Sequence, residues 1–251
     1  MNEPLVTRVV AEFFGTMILI LFGNGAIANC MLKGAKGNEK LTGRSSIGWL
    51  SIAIGYGCGV MIPAMMFGSI SGNHLNPAVT IAQAITGIFP WSNVVPYIIA
   101  QLLGAIIGQL IIVLMYWNLY KNTEDVNIIF GSFSTNEVNN NKISGFFSEF
   151  IGTFILMFCA LGLYRGMFFH QSIDIANIGV GFLIMMLVLS LGGTTGPALN
   201  PARDLGPRIV HALIPLKQKG SSHWDYSLIP IVAPIFGAIC GALVYKIFFK
   251  L

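Results

Sequence analysis

The sequence predicts an all-α membrane protein in which six transmembrane helices and two shorter re-entrant half-helices form an inverted repeat. Three observations lead there. Of 251 residues, 55% are hydrophobic and 10% charged, and the mean hydropathy is +0.74, a composition suited to lipid. Apolar runs long enough to cross a bilayer cover roughly 6–31, 47–69, 94–117, 144–166, 174–193 and 228–250. A motif with polar residues then interrupts this apolar sequence twice, as Gly72-Asn73-His74-Leu75-Asn76-Pro77-Ala78-Val79-Thr80 and as Gly196-Pro197-Ala198-Leu199-Asn200-Pro201-Ala202-Arg203-Asp204.

The first run begins Ala11-Glu12-Phe13-Phe14-Gly15-Thr16, and this opening returns as Ser148-Glu149-Phe150-Ile151-Gly152-Thr153. Ala26-Ile27-Ala28 looks like a cleavage site, but an internally repeated run is expected to be structural rather than a removed leader. Residues 32–46 make a short basic loop. The pieces at 77–87 and 201–212 start at Asn-Pro pairs, where Asn caps free amides and Pro is preset for the first helical position. They are too short to span, so they are expected to re-enter. Non-helical backbone ahead of them is tolerated at that depth only where it is buried or lines a cavity.

A third match pairs Tyr97-Ile98-Ile99-Ala100-Gln101-Leu102-Leu103-Gly104 with Pro230-Ile231-Val232-Ala233-Pro234-Ile235-Phe236-Gly237. Consecutive units with an odd number of crossings lie upside down relative to each other. The expected organisation is one membrane domain over 1–251, with inverted repeats at approximately 1–120 and 142–251. The half-helices then meet at their positive N-terminal ends. Residues 118–143 are a polar connection without a chemical motif. Glycines four apart (Gly55 and Gly59, Gly104 and Gly108, Gly162 and Gly166, Gly237 and Gly241) predict close helix packing.

A net charge of +4, scattered over loops, excludes a nucleic-acid footprint. Cys30, Cys58, Cys159 and Cys240 stand singly, without metal or redox spacing, and read as packing residues; no metal or other cofactor is expected. Counting charges on either side of six spans sets Lys33, Lys36, Lys40, Arg44, Lys121, Lys142, Lys217 and Lys219 against Arg8, Arg165, Lys246 and Lys250. Taken alone, that count puts both termini outside.

With both copies of the Asn-Pro-Ala motif, both Glu-bearing openings and the glycine positions, nearly the whole chain resembles the major intrinsic protein family, the aquaporins and glycerol facilitators. The resemblance is to the glycerol facilitator branch, of bacterial type. It implies cytoplasmic termini in a multi-pass cell-membrane protein, against a charge count that includes a long loop. It also implies a homotetramer with a pore in each subunit. The Asn76-Pro77-Ala78 and Asn200-Pro201-Ala202 motifs would place Asn76 and Asn200 as paired donors at the midplane, where the dipole ends oppose protons and cations.

By the same resemblance Arg203 narrows one mouth, with Tyr56, Val188 and Pro197 as the other members of the constriction. This departs from both common patterns. Water-selective members place a His where Val188 stands, and glycerol facilitators commonly have Trp and Phe where this chain has Tyr56 and Pro197. Pro197 is expected to widen the mouth. Asp204 resembles the marker of the glycerol branch, and it also suits the dipole of a first helical turn. Glu12 and Glu149 would brace the loops ahead of the half-helices by accepting backbone amides. Carbonyls of Gly72, Asn73 and His74, and of Gly196, Pro197 and Ala198, would line the pore. His74 reads as a loop brace rather than a metal ligand; His170, His211 and His223 read as surface residues.

The expected activity is passive conduction of glycerol and similar small neutral solutes through the lipid bilayer, with some water. A competing substrate is a small hydroxy acid such as undissociated lactic acid, which the widened mouth would admit. An ion-coupled transporter also fits an inverted repeat, but only Glu12 and Glu149 could couple ions, and no enzyme signature is present.

Overall fold

The computed structural model describes residues 3–38, 46–170 and 173–249, without the side chains at 46–47, 166–170 and 173–174. The expectations for Lys40, Arg44 and Lys250, and for the surroundings of Gly166 and His170, fall outside what is described. Among the described residues the chain is helical, without strands: α1 (Leu5–Met31), α2 (Ser46–Ser71), α3 (Pro77–Ile85), α4 (Val94–Asn122), α5 (Val126–Gly131), α6 (Lys142–His170), α7 (Ile173–Leu191), α8 (Pro201–Leu213) and α9 (Ile229–Phe249).

Five of these helices, α1, α2, α4, α6 and α9, are long and apolar enough to cross a membrane; the apolar part of α7, Ile175–Leu191, is shorter. The run predicted to 193 stops at Leu191 because Gly192 and Gly193 follow as a turn. Burial runs opposite to that of a water-soluble protein. Leu114, Met115, Phe147, Phe182 and Ile247 face outward, while Glu12, Asn24, Gln101, Glu149, Asp204 and Arg208 are fully buried.

Glycines set the closest crossings, and they do so twice over. A Cβ on Gly104 would sit 2.2 Å from the Phe13 carbonyl, and one on Gly108 2.7 Å from that of Met17, so α4 lies directly on α1. A Cβ on Gly237 would sit 2.2 Å from the Phe150 carbonyl, and one on Gly241 2.5 Å from that of Phe154, so α9 lies on α6 in the same manner. Gly55 and Gly59 let α2 approach α1 at Phe22 and Leu19. Gly162 differs: its Cβ would meet Tyr245 at an ordinary 3.4 Å, so no close approach depends on it. The four cysteines are free and half-buried.

Candidate functional site

The short helices α3 and α8 meet end to end. Asn76 caps α3, its side-chain oxygen accepting from the Ala78 amide at 2.9 Å, and Pro77 takes the first position. Asn200 caps α8 in the same way from Ala202 (2.9 Å) and Arg203 (3.2 Å), with Pro201 following. Each Asn also reaches across the junction: Asn76 Nδ2 donates to the Leu199 carbonyl at 2.8 Å, and Asn200 Nδ2 to that of Leu75 at 2.7 Å.

Backbone strain aims those carbonyls. Leu75 and Leu199 have φ of 51° and 52°, a left-handed conformation costing a non-glycine residue roughly 1–2 kcal/mol. Gly72 and Gly196, each four positions ahead of its asparagine, adopt φ of 85° and 72°, which glycine takes without that cost.

A buried carboxylate holds each strained turn. Glu12 accepts from the His74 amide (2.9 Å) and Ser71 hydroxyl (2.6 Å) on one oxygen, and from the Leu75 amide (2.7 Å) and Gln101 Nε2 (2.8 Å) on the other. Glu149 accepts from the Ala198 amide (2.9 Å) and Thr195 hydroxyl (2.8 Å), and from the Leu199 amide (2.8 Å). His74, itself buried, puts Nδ1 3.1 Å from the Thr80 hydroxyl and packs its ring on Phe89 and Tyr97.

A cavity of about 100 Å³ runs along these turns. Its lining combines Asn76, Asn200, Arg203 and the turn residues Gly72, Asn73, His74, Pro197 and Ala198 with the aliphatic residues Val60, Leu156, Leu161, Val180, Ile184 and Val188. Gly196, expected in the lining, is not among the residues that line this cavity. Ala78, Ala202 and Asp204 are buried off the cavity.

Tyr56, Val188, Pro197 and Arg203 all line the cavity. The Arg203 guanidinium lies 4.9 Å from the centre of the Tyr56 ring and donates to its hydroxyl. Trp49 Nε1 donates to the Val188 carbonyl at 3.1 Å, and the missing side chain of Gly192 leaves room for Pro197.

Arg208 and Thr135 have no reading in the sequence, and Asp204 has a further role beside the one expected of it. Asp204 forms a fully buried ion pair with Arg208 at 2.7 Å and accepts from Thr135 through both amide (2.8 Å) and hydroxyl (2.7 Å). Arg208 also donates to the carbonyls of Ser222, His223 and Thr135. The signal was the i,i+4 spacing of the two charges. The 118–143 connection is correspondingly more than a polar link. It folds as α5 and a buried strap whose Phe133 carbonyl accepts from Arg203 at 3.1 Å.

His211 corrects the expectation of a surface residue. It shares the inner face of α8 with Asp204 and Arg208, and it is fully buried between Phe130, Phe133, Ser222 and Lys219. His223 is half-buried and packs on Phe130. Lys219, in the connection after α8, donates to the Ala212 and Ile214 carbonyls that end this helix. Desolvation holds its amine below the ordinary lysine pKa.

The class these observations define is an all-helical, multi-pass membrane protein built around a narrow cavity lined by both polar and aliphatic residues. The chain belongs to the major intrinsic protein family, whose profile matches residues 2–245; it is a membrane transport protein and not an enzyme. It is 62% identical over 244 residues to the glycerol uptake facilitator protein-like 5 of Lactiplantibacillus plantarum, covering 97% of each chain. It is 43% identical over 246 residues to the glycerol uptake facilitator protein of Streptococcus pneumoniae, covering 97% of this chain and 100% of that one. The X-ray structure of the aquaglyceroporin from Plasmodium falciparum shares its fold with a TM-score of 0.83 at 28% identity, over 98% of each chain.

Proposed function

We propose that the chain is a passive transmembrane channel for glycerol and similar small uncharged solutes, with some water permeability. The observation that carries this reading is the mixed polar and aliphatic lining of the cavity. Asn76, Asn200, Arg203 and the residues of the two turns line it together with aliphatic side chains, a mixture that suits a carbon chain bearing hydroxyls. A carboxamide has two N–H donors. One on each of Asn76 and Asn200 is taken by the opposite leucine carbonyl, which leaves one on each for a passing oxygen. The helix ends behind them repel cations.

In this reading α7 is the sixth crossing, α3 and α8 re-enter from opposite faces, and the paired glycine contacts and carboxylate braces are the marks of an inverted repeat within one domain. Tyr56, Val188, Pro197 and Arg203 select at the mouth. The termini are cytoplasmic, and four copies assemble as in the family. Ion coupling is disfavoured, since both oxygens of Glu12 and of Glu149 already accept backbone amides. The relatives' names speak for glycerol rather than lactic acid.

Stopped-flow light scattering on proteoliposomes tests the proposal with glycerol, water and lactic acid, the acid at pH values on both sides of a carboxyl pKa of roughly 3.3–3.7. Fast glycerol entry, insensitive to proton or sodium gradients and altered by substitution of Arg203 or Tyr56, is expected. Slow glycerol entry beside fast, pH-dependent lactic acid entry transfers the channel to hydroxy acids.

A further inference from the structure

Asn24 lies in the C-terminal third of α1, fully buried and off the cavity. Neither its helix nor its depth gives a polar side chain a reason to be there. Its surroundings do. Asn24 Oδ1 accepts from the Tyr56 hydroxyl, and that hydroxyl accepts from Arg203 Nη2. Arg203 Nη1 donates to the Phe133 carbonyl at 3.1 Å, and Asn24 Nδ2 donates to the same carbonyl at 2.8 Å. The four groups close a ring of hydrogen bonds, which Asn24 Nδ2 ties to α4 through Gln109 Oε1 at 2.7 Å.

The neighbouring position supports the same arrangement independently. A Cβ on Gly23 would stand 2.2 Å from the Tyr56 ring, so this glycine is the seat on which the ring lies. Gly23 gives the ring its place and Asn24 gives its hydroxyl a direction.

We infer that Asn24 is a positioning residue that sets the selectivity of the mouth by holding the Tyr56 hydroxyl and Arg203 in one closed network. The inference rests on the proposed channel reading. With its proton committed to Asn24 and a lone pair to Arg203, the Tyr56 hydroxyl has nothing to donate to a permeant, and the ring offers the cavity an apolar edge. Carbon-bound hydrogens of a polyol suit that edge. Freeing the hydroxyl adds a donor to the wall, which favours water over the polyol.

The test measures glycerol and water permeability on the same proteoliposomes for wild type, Asn24→Leu, Tyr56→Phe and the double variant. The ratio of the two permeabilities is the readout, because a loss of folded protein lowers both together and leaves it unchanged. Asn24→Leu is expected to lower the glycerol-to-water ratio about fivefold, the equivalent of one neutral hydrogen bond of ~1 kcal/mol. The double variant is expected to match Tyr56→Phe alone, since without the hydroxyl Asn24 has nothing to direct.

A ratio that moves in Tyr56→Phe but not in Asn24→Leu, or effects that add in the double variant, overturns the inference and leaves the channel reading standing. A ratio that neither Tyr56→Phe nor an Arg203 substitution moves removes the proposed mouth itself. Should Asn24→Leu not insert, Asn24→Ala, which adds no bulk, carries the same expectation and the same test.

Discussion

The turns before α3 and α8 share a shape and are held from different places. Ahead of α3 every restraint comes from neighbouring helices or from within the segment. Glu12 on α1 and Gln101 on α4 meet there, Tyr97 of α4 donates to the Ser71 carbonyl at 2.9 Å, and His74 bonds back to Thr80 of α3. Ahead of α8, Glu149 has three partners instead of four, and Pro234 stands where the repeat would place a second Gln101. The missing restraint is replaced downstream. Asp204 and Arg208 fasten α8 to Thr135 in the 118–143 connection and to Ser222 and His223 in the loop after α8. The α3 side is therefore fixed by the helix bundle, and the α8 side by Glu149 of α6 together with segments outside the long helices.

Removing one charge of the α8 fastening is the strongest way to break this comparison. Arg208→Met leaves the Asp204 carboxylate buried without its cation, a loss of ~3–5 kcal/mol. The thermal unfolding midpoint of the detergent-solubilised protein should fall accordingly, and a midpoint within a degree of wild type would mean that the loops do not hold α8. The Arg203 contact should loosen as well, because the Phe133 carbonyl that it bonds belongs to the same strap.

Next come the carboxylates. Both oxygens of Glu12 and both of Glu149 accept a backbone amide, so Glu12→Gln or Glu149→Gln must aim an NH₂ group at one amide in either orientation, at a cost of ~2–3 kcal/mol. Amide hydrogen exchange should accelerate at Leu75 in the first variant and at Leu199 in the second. Gln101→Met sharpens the contrast by reducing Glu12 to three partners, and should cost a smaller ~1.5 kcal/mol. If the Leu75 amide exchanges no faster in Gln101→Met, the fourth bond is not what distinguishes the halves.

The smallest effect isolates the backbone. A Cβ on Gly196 meets nothing within 4 Å, while its φ is 72°. Gly196→Ala should therefore lose ~1 kcal/mol through conformation alone, with the glycerol-to-water ratio unchanged. A loss several times larger would show a contact that the open space does not suggest.

Much of this was legible in the sequence because it is periodic or repeated. The apolar runs gave most helix boundaries to within a few residues, and the Asn-Pro pairs marked the starts of α3 and α8 at Pro77 and Pro201. The glycine spacings marked the contacts of Gly104 and Gly237, and failed for Gly162, whose neighbour is a ring rather than backbone. What stayed hidden depends on contacts between distant parts of the chain. The Phe133 carbonyl bonds Arg203 from 70 positions away, and every residue has a carbonyl, so no residue type announces it. His211 looked superficial because the loop that covers it has no regular pattern. Asn24 was visible as a polar residue flanked by Gly23 and Gly25 inside an apolar run, yet its partners Tyr56 and Phe133 could only be found in three dimensions.

The crossed bonds from Asn76 to Leu199 and from Asn200 to Leu75 span 123 and 125 positions of sequence. During synthesis the first repeat is finished long before its counterpart exists. Until residue 200 has left the ribosome, the Asn76 amide and the Leu75 carbonyl lack the groups that complete them. The paired turns can thus be completed only late, once the second is available to dock on the first.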